Sequence, residues 1–183
     1  MSGSTLLDRV IASVDSSPHG CGSGRCTRHH ALHKPLYTAD ERARRDATPW
    51  TLVQGILAPV QFAVFLVSLG LVLNYLATGE GLFTAELSVV IKTLTLYAIM
   101  VTGAIWEKQV FGRYLFAPAF YWEDVFSMLV IALHTAYVWA FLADMGSPYF
   151  RMWLALAAYA AYAINATQFV LKLRAARLDA RTA

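Results

Sequence analysis

Glu107, Glu123 and Asp124 stand at the two ends of one stretch, Trp106-Glu107-Lys108-Gln109-Val110-Phe111-Gly112-Arg113-Tyr114-Leu115-Phe116-Ala117-Pro118-Ala119-Phe120-Tyr121-Trp122-Glu123-Asp124, which joins two long apolar segments. Acidic side chains at or just inside the ends of apolar segments are expensive to keep and usually have a functional or structural partner. Helix ends joined by so short a connection sit close together, so Glu107 and Glu123 can face one pocket. A carboxyl group buried among aromatic rings keeps its proton nearer neutral pH and can serve as a general acid; Trp106, Phe116, Phe120 and Trp122 supply such rings. Glu123 is the expected acid, with Glu107 orienting a water molecule and Asp124 in reserve. The alternative is structural: Glu107 pairs with Lys108 or Arg113, and Glu123 and Asp124 favour the N-terminus of the helix they open.

His134 lies eleven residues beyond Glu123. Three helical turns bring it back to almost the same face but roughly 16 Å along the axis, too far for contact with Glu123. It offers either an axial ligand for a magnesium tetrapyrrole or a hydrogen bond to Tyr137, Asn165 or Gln168 across a bundle. Gln54 and Gln61 form a polar stripe on one apolar segment, and Tyr162, Asn165 and Gln168 form another. Amides in lipid need partners, so both stripes are expected to face inward, as interhelical hydrogen bonds or as a substrate lining. Trp106 and Trp122 are the aromatic candidates for that lining. Cys21, Cys26, His29, His30 and His33 cluster in a Gly-rich basic arm, but Cys-x4-Cys departs from the usual zinc-site spacing and no metal site is assigned.

These residues must be positioned by helices. Thr38-Ala-Asp-Glu41 matches a capping box and opens a short polar helix through about Ala47, within an interfacial segment 36–48. Thr48-Pro49 and Ser147-Pro148 each pair a cap residue with a proline at the first helical position. Spans are expected at about 49–77, 85–108, 118–143 and 148–173, with Thr84 capping the second and Pro59 inside the first. Residues 47–79 carry no Lys, Arg, Asp or Glu, about 50 Å if helical against the ~30 Å of a bilayer core. Short loops between four spans imply an antiparallel bundle. Lys108, Arg113 and the tail residues Lys172, Arg174, Arg177 and Arg181 fall on the side of the N-terminal flank. Only Lys92, expected to snorkel, and Arg151 fall on the other. The positive-inside rule then puts both termini in the cytoplasm. The expected fold is therefore an all-α integral membrane protein, a four-transmembrane-helix antiparallel bundle. It follows a polar, disordered arm (1–35), with a short helix around Leu6 to Val14, and precedes a basic tail (174–183).

Composition excludes other classes. Of 183 residues, 57% are hydrophobic and only 15% charged, where soluble domains carry roughly 25% charged residues; mean hydropathy is +0.48. The net charge of +3 is spread over the chain ends rather than gathered on a basic face, so no nucleic-acid partner is expected. No apolar h-region of a signal peptide is seen in the first 36 residues. Paired intramembrane histidines of the b-type haem kind are lacking, and a transporter would show a repeat.

Several stretches resemble the hydratases that act on the 3-vinyl group of chlorophyllide and bacteriochlorophyllide in bacteriochlorophyll biosynthesis. They are Leu36-Tyr37-Thr38, Arg44-Arg45-Asp46-Ala47-Thr48-Pro49-Trp50-Thr51-Leu52-Val53-Gln54-Gly55, Tyr75-Leu76-Ala77-Thr78-Gly79-Glu80-Gly81, Met100-Val101-Thr102-Gly103-Ala104-Ile105-Trp106-Glu107-Lys108, Phe116-Ala117-Pro118 and Trp122-Glu123-Asp124-Val125-Phe126-Ser127-Met128. The resemblance covers about residues 36–178. It implies a small enzyme of the bacterial inner (intracytoplasmic) membrane that adds water across the vinyl group to give a 3-(1-hydroxyethyl) group. It also implies a magnesium-tetrapyrrole substrate that brings its own metal, no separate cofactor, and contact with lipid, with a second copy or with other pigment-biosynthesis enzymes. The other reading of the same residues is a four-helix pigment-binding or assembly subunit without catalysis.

Overall fold

The computed structural model describes residues 36–182, with side chains through Arg174. The Cys/His arm and the expected short helix near its start lie outside the described residues. Five helices follow: α1 (Ala39–Ala47), α2 (Pro49–Thr78), α3 (Leu82–Phe111), α4 (Tyr121–Leu142) and α5 (Pro148–Thr182). Helices α2, α3, α4 and the Pro148–Arg174 part of α5 are each long and apolar enough to cross a bilayer. The described part of the protein is all-α and multi-pass, with four spans. They pack chiefly as two antiparallel hairpins, α2 with α3 and α4 with α5, and the contact between hairpins is thinner.

Local chemistry sets the helix ends. Thr38 Oγ1 accepts from the Glu41 N–H, and Glu41 Oε2 accepts from the Thr38 N–H at 2.8 Å, closing the capping box of α1. Helix α2 begins with Pro49 after Thr48, but the Thr48 hydroxyl donates to Gln109 Oε1 on α3 instead of capping α2. The Gly79-Glu80-Gly81 turn, with both glycines left-handed at φ 77° and 81°, lets α3 begin at Leu82, three residues before the expected start and without Thr84 as a cap. Helix α4 begins at Tyr121 rather than near Pro118. Phe116 sits in the left-handed region (φ 59°), and Ala117–Phe120 close a turn through Phe120 N–H to Ala117 O at 2.8 Å. Ser147 Oγ accepts from the Phe150 N–H at 3.2 Å at the start of α5.

Each span buries one stripe. On α2 the stripe is Gln61, Phe65, Ser68, Val72 and Tyr75; on α4 it is Glu123, Asp124, Ser127, Val130, His134, Tyr137 and Ala140. Spacings of three and four residues keep such a set on one helix face. Helix α5 contributes Met152, Ala155, Ala158, Tyr159 and Tyr162, whose alanines allow close approach. Lys92 does not snorkel. It falls in register with Ala85, Val89 and Leu96 on the inward face of α3 and is wholly buried, because that 4-3-4 spacing fixes its direction before length allows any reach to water. Near the turn end of the bundle, Arg151 is also buried and pairs with Glu86 at 2.8 Å and Asp144 at 2.9 Å.

Candidate active site

The sequence stretch between α3 and α4 forms one end of the bundle. Glu107, in the last turns of α3, and Asp124, in the first turn of α4, are both drawn to the linker between the two helices. Two consecutive backbone N–H groups of the linker complete the arrangement: Phe116 donates to Asp124 Oδ2 at 2.6 Å and Ala117 to Glu107 Oε2 at 3.3 Å. The left-handed backbone of Phe116 aims them that way, and such a conformation in a bulky residue persists only where its surroundings hold it. Both carboxyls are buried.

Aromatic rings wall this end. Tyr37 stacks on Phe111 at 5.8 Å, Trp106 meets Phe111 and Phe120 edge-on at 5.8 Å, and Phe120 stacks on Phe169 at 5.9 Å. Trp106 Nε1 donates to Thr51 Oγ1 at 2.9 Å, which fixes the indole between α2 and α3. Arg44 of α1 donates to the Val110 carbonyl at 2.9 Å, and the Arg45 guanidinium lies 4.9 Å over the Tyr37 ring. The interfacial helix is thus tied to the wall. Burial pushes the Tyr37 phenol above its ordinary value, with Arg45 acting in the opposite direction. An open hollow lined by Arg44, Ala47, Thr48, Pro49 and Gln109 lies at the same end.

Not every expected site residue joins this group. Glu123 is buried but turns to Lys172 of α5, whose Nζ donates to Glu123 Oε2 at 2.6 Å while lying 5.0 Å over the Phe120 ring. Trp122 is 66% exposed and points away from the helices. Gln54 donates to Thr102 at 2.8 Å, an α2–α3 tie. Asn165 donates to Ser127 at 2.8 Å, an α5–α4 tie one turn from Asp124. Gln168 keeps an unpartnered buried Oε1, and Gln61 is unpartnered at both amide atoms. His134 is wholly buried; its Nδ1 lies 2.8 Å from the Val130 carbonyl, and Nε2 has no partner. A carbonyl only accepts, so Nδ1 carries the proton. Lys92, Ser127 and Tyr37 were missed as members of polar or aromatic clusters. For Lys92 the signal was present in its register with Val89 and Leu96; for Tyr37 nothing in a short irregular segment marked it.

One end of a small helical membrane protein thus holds two buried carboxyl groups, backbone donors and an aromatic wall, the groups that a membrane enzyme moving protons on an apolar substrate would need. The sequence matches the 2-vinyl bacteriochlorophyllide hydratase profile over residues 37–175. The chain belongs to the 2-vinyl bacteriochlorophyllide hydratase family; the 2-vinyl group of that name is the 3-vinyl group of systematic tetrapyrrole numbering. Among its relatives, the 2-vinyl bacteriochlorophyllide hydratase of Cereibacter sphaeroides is 68% identical over 154 residues, 84% of this chain and 95% of the relative. The protein of the same description from Rhodobacter capsulatus is 68% identical over 148 residues, 80% of this chain and 85% of the relative. No solved structure matches.

Proposed function

We propose that this protein is a hydro-lyase that adds water across the ring vinyl group of a bacteriochlorophyllide or chlorophyllide, with the Glu107–Asp124 pair as its proton donor and acceptor. The 68% identity to two hydratases over most of the chain carries the reaction. Two buried carboxyls held by consecutive backbone N–H groups of one linker carry the assignment of the acid. The protonated member gives its proton to the terminal vinyl carbon, and the C=C electron pair forms the new C–H bond. Positive charge then develops on the carbon next to the ring and spreads into the macrocycle. Water bonds to that carbon, its surplus proton returns to the carboxylate of the pair, and the product is a 1-hydroxyethyl group with the enzyme restored. A pair that holds one proton suits both halves of the reaction, since one group must give a proton and then take one back. The Phe116 and Ala117 N–H groups favour the ionised member as the proton leaves. Trp106, Phe111 and Phe120 offer the flat apolar surface along which the ring approaches. Glu123, bound to Lys172, positions the start of α4 against α5. Magnesium enters with the pigment, and no further cofactor is proposed.

The proposed setting is a bacterial inner membrane with both termini cytoplasmic. Among the described residues, Arg42, Arg44, Arg45, Lys108, Arg113, Lys172 and Arg174 gather at the carboxyl end, while Lys92 and Arg151, the two cations toward the other end, are buried. The positive-inside rule orients the carboxyl pair toward the cytoplasmic leaflet. One experiment addresses reaction and setting together. Inverted membrane vesicles containing the protein, given the vinyl pigment in oxygen-18 water, are expected to yield a labelled hydroxyethyl pigment, and a reporter fused at residue 113 should read cytoplasmic. Unchanged pigment would refute the reaction, and an external reading at 113 would refute the orientation.

A further inference from the structure

Midway along the bundle, at the seam between the two hairpins, lies a second set of buried polar atoms that the chemistry above does not use. Lys92 Nζ on α3 is wholly buried, has no hydrogen-bond partner and lies 3.5 Å from the centre of the Tyr162 ring on α5 and 6.0 Å from that of Phe65 on α2. His134 on α4 packs against Tyr159, at 5.8 Å between rings, and leaves Nε2 unpartnered. Gln61, one turn from Phe65 on the same buried stripe, leaves both amide atoms unpartnered. Side chains from all four spans thus surround the site, and three of them leave a polar atom without a hydrogen-bond partner. Polar groups inside a bundle in lipid are normally satisfied by one another. Neighbouring Ser68 bonds both Ser88 and Tyr159, and Asn165 donates to Ser127, while Asn165 Oδ1 and the Tyr137 hydroxyl are unpartnered like the three above.

The site stands in a definite relation to the carboxyl pair. Tyr162, under the Lys92 amino group, is one turn from Asn165; Asn165 bonds Ser127; and Ser127 is one turn from Asp124. Two such turns amount to about 9 Å along α4 and α5, while on α3 Lys92 and Glu107 lie fifteen residues apart, about 22 Å between backbone positions, of which the lysine side chain spans a part. A chlorin, taken from its vinyl group to the ring carbonyl or propionate carboxylate of the opposite edge, has a length between these two.

We propose that Lys92 is a substrate-binding residue whose amino group receives an oxygen acceptor of the pigment's far edge, carboxylate or ring carbonyl, when the ring enters the seam between the α2–α3 and α4–α5 hairpins with its vinyl group at the Glu107–Asp124 pair. The proposal rests on the hydratase reading but is tested without turnover. An amino group with only the Tyr162 ring to face gains little over a methionine of similar length, which keeps a sulfur–aromatic contact there, and removing a buried group without a hydrogen-bond partner spares the fold its desolvation cost. A binding group makes the opposite demand: its partner is the ligand.

The hydroxyethyl pigment, as free acid and as methyl ester, is titrated into detergent-solubilised wild type, Lys92→Met and Lys92→Gln, with binding read from the pigment absorbance and folding from the melting midpoint. Lys92→Met is expected to melt no lower than wild type and to bind the free acid at least tenfold more weakly, the scale of one lost charge-assisted hydrogen bond. Lys92→Gln, which keeps a donor in the same space, should recover part of the loss. If the partner is the carboxylate, the ester binds wild type as weakly as the acid binds the Met variant. If it is the ring carbonyl, acid and ester bind wild type alike and both weaken in the variant. Wild-type affinity in Lys92→Met would overturn the proposal, as would lower melting midpoints in both variants with equal loss for both pigments. A failure of the carboxyl-pair reading would show instead as normal turnover in Glu107 and Asp124 variants, with these affinities untouched.

Discussion

Asp124→Asn is expected to lower turnover by about 10²-fold or more, the scale of a lost proton-transfer group, while pigment affinity stays within a few fold. The amide keeps the shape and can still accept the Phe116 N–H bond now 2.6 Å long, so the linker has no reason to move. What it loses is the ability to share and take back a proton with Glu107. Glu107→Gln should lose turnover on the same scale for the same reason, and the double variant little more than either alone, since a pair acting as one unit is disabled by the loss of either member. Glu123→Gln provides the contrast. Its carboxylate is engaged by Lys172 at 2.6 Å, so turnover should remain within about tenfold of wild type, below the usual range for a proton-transfer group. Steady-state rates and pigment titrations on the four variants decide the matter. Normal turnover in both Asp124→Asn and Glu107→Gln would reduce the pair to structure, and collapse of Glu123→Gln alone would return the acid role to Glu123.

Arg151→Met should produce the largest loss of stability. The guanidinium is buried at 6% exposure and holds the equally buried Glu86 at 2.8 Å; Asp144, its second partner, has a side chain 94% exposed and contributes little. Removing one member of a buried ion pair leaves the other charge stranded, typically at 3–5 kcal/mol. About 3 kcal/mol is expected here, because Arg151 lies in the first turn of α5, near the end of the bundle. For a chain of this length that corresponds to a melting midpoint lower by roughly 10 °C. Adding Glu86→Gln should restore most of it by removing the stranded charge. Thermal melts of the single and double variants in detergent test this, and a single variant that melts like wild type would show the pair to be dispensable.

Much of this architecture was legible in the chain. Four apolar stretches long enough to span, the capping box at Thr38 and Glu41, and prolines at 49 and 148 each act within a few residues, so composition and spacing reveal them. Boundaries that depend on backbone geometry were not. The start of α3 at Leu82 follows from two left-handed glycines, and the delayed start of α4 follows from Phe116, a residue whose type gives no warning of a positive φ.

The site shows the same division. That Glu107, Glu123 and Asp124 meet one end of the bundle follows from the sequence, because they end adjacent spans joined by a short linker. Which two of them meet does not. Glu123 and Asp124 are neighbours whose side chains leave the helix about 100° apart; the packing of α5 turns Glu123 to Lys172 and leaves Asp124 to the linker that also holds Glu107. Lys92 makes the point most sharply. Its charge and its distance from the span's end predict a side chain reaching for water, yet its register with Ala85, Val89 and Leu96 sends it inward. Sequence determined the class of this protein and the residues available for chemistry, since burial in lipid and helix periodicity are local constraints. Only the tertiary structure decided partners, because a side chain's partner is chosen by the helix packed opposite it, and no spacing along one chain encodes that choice.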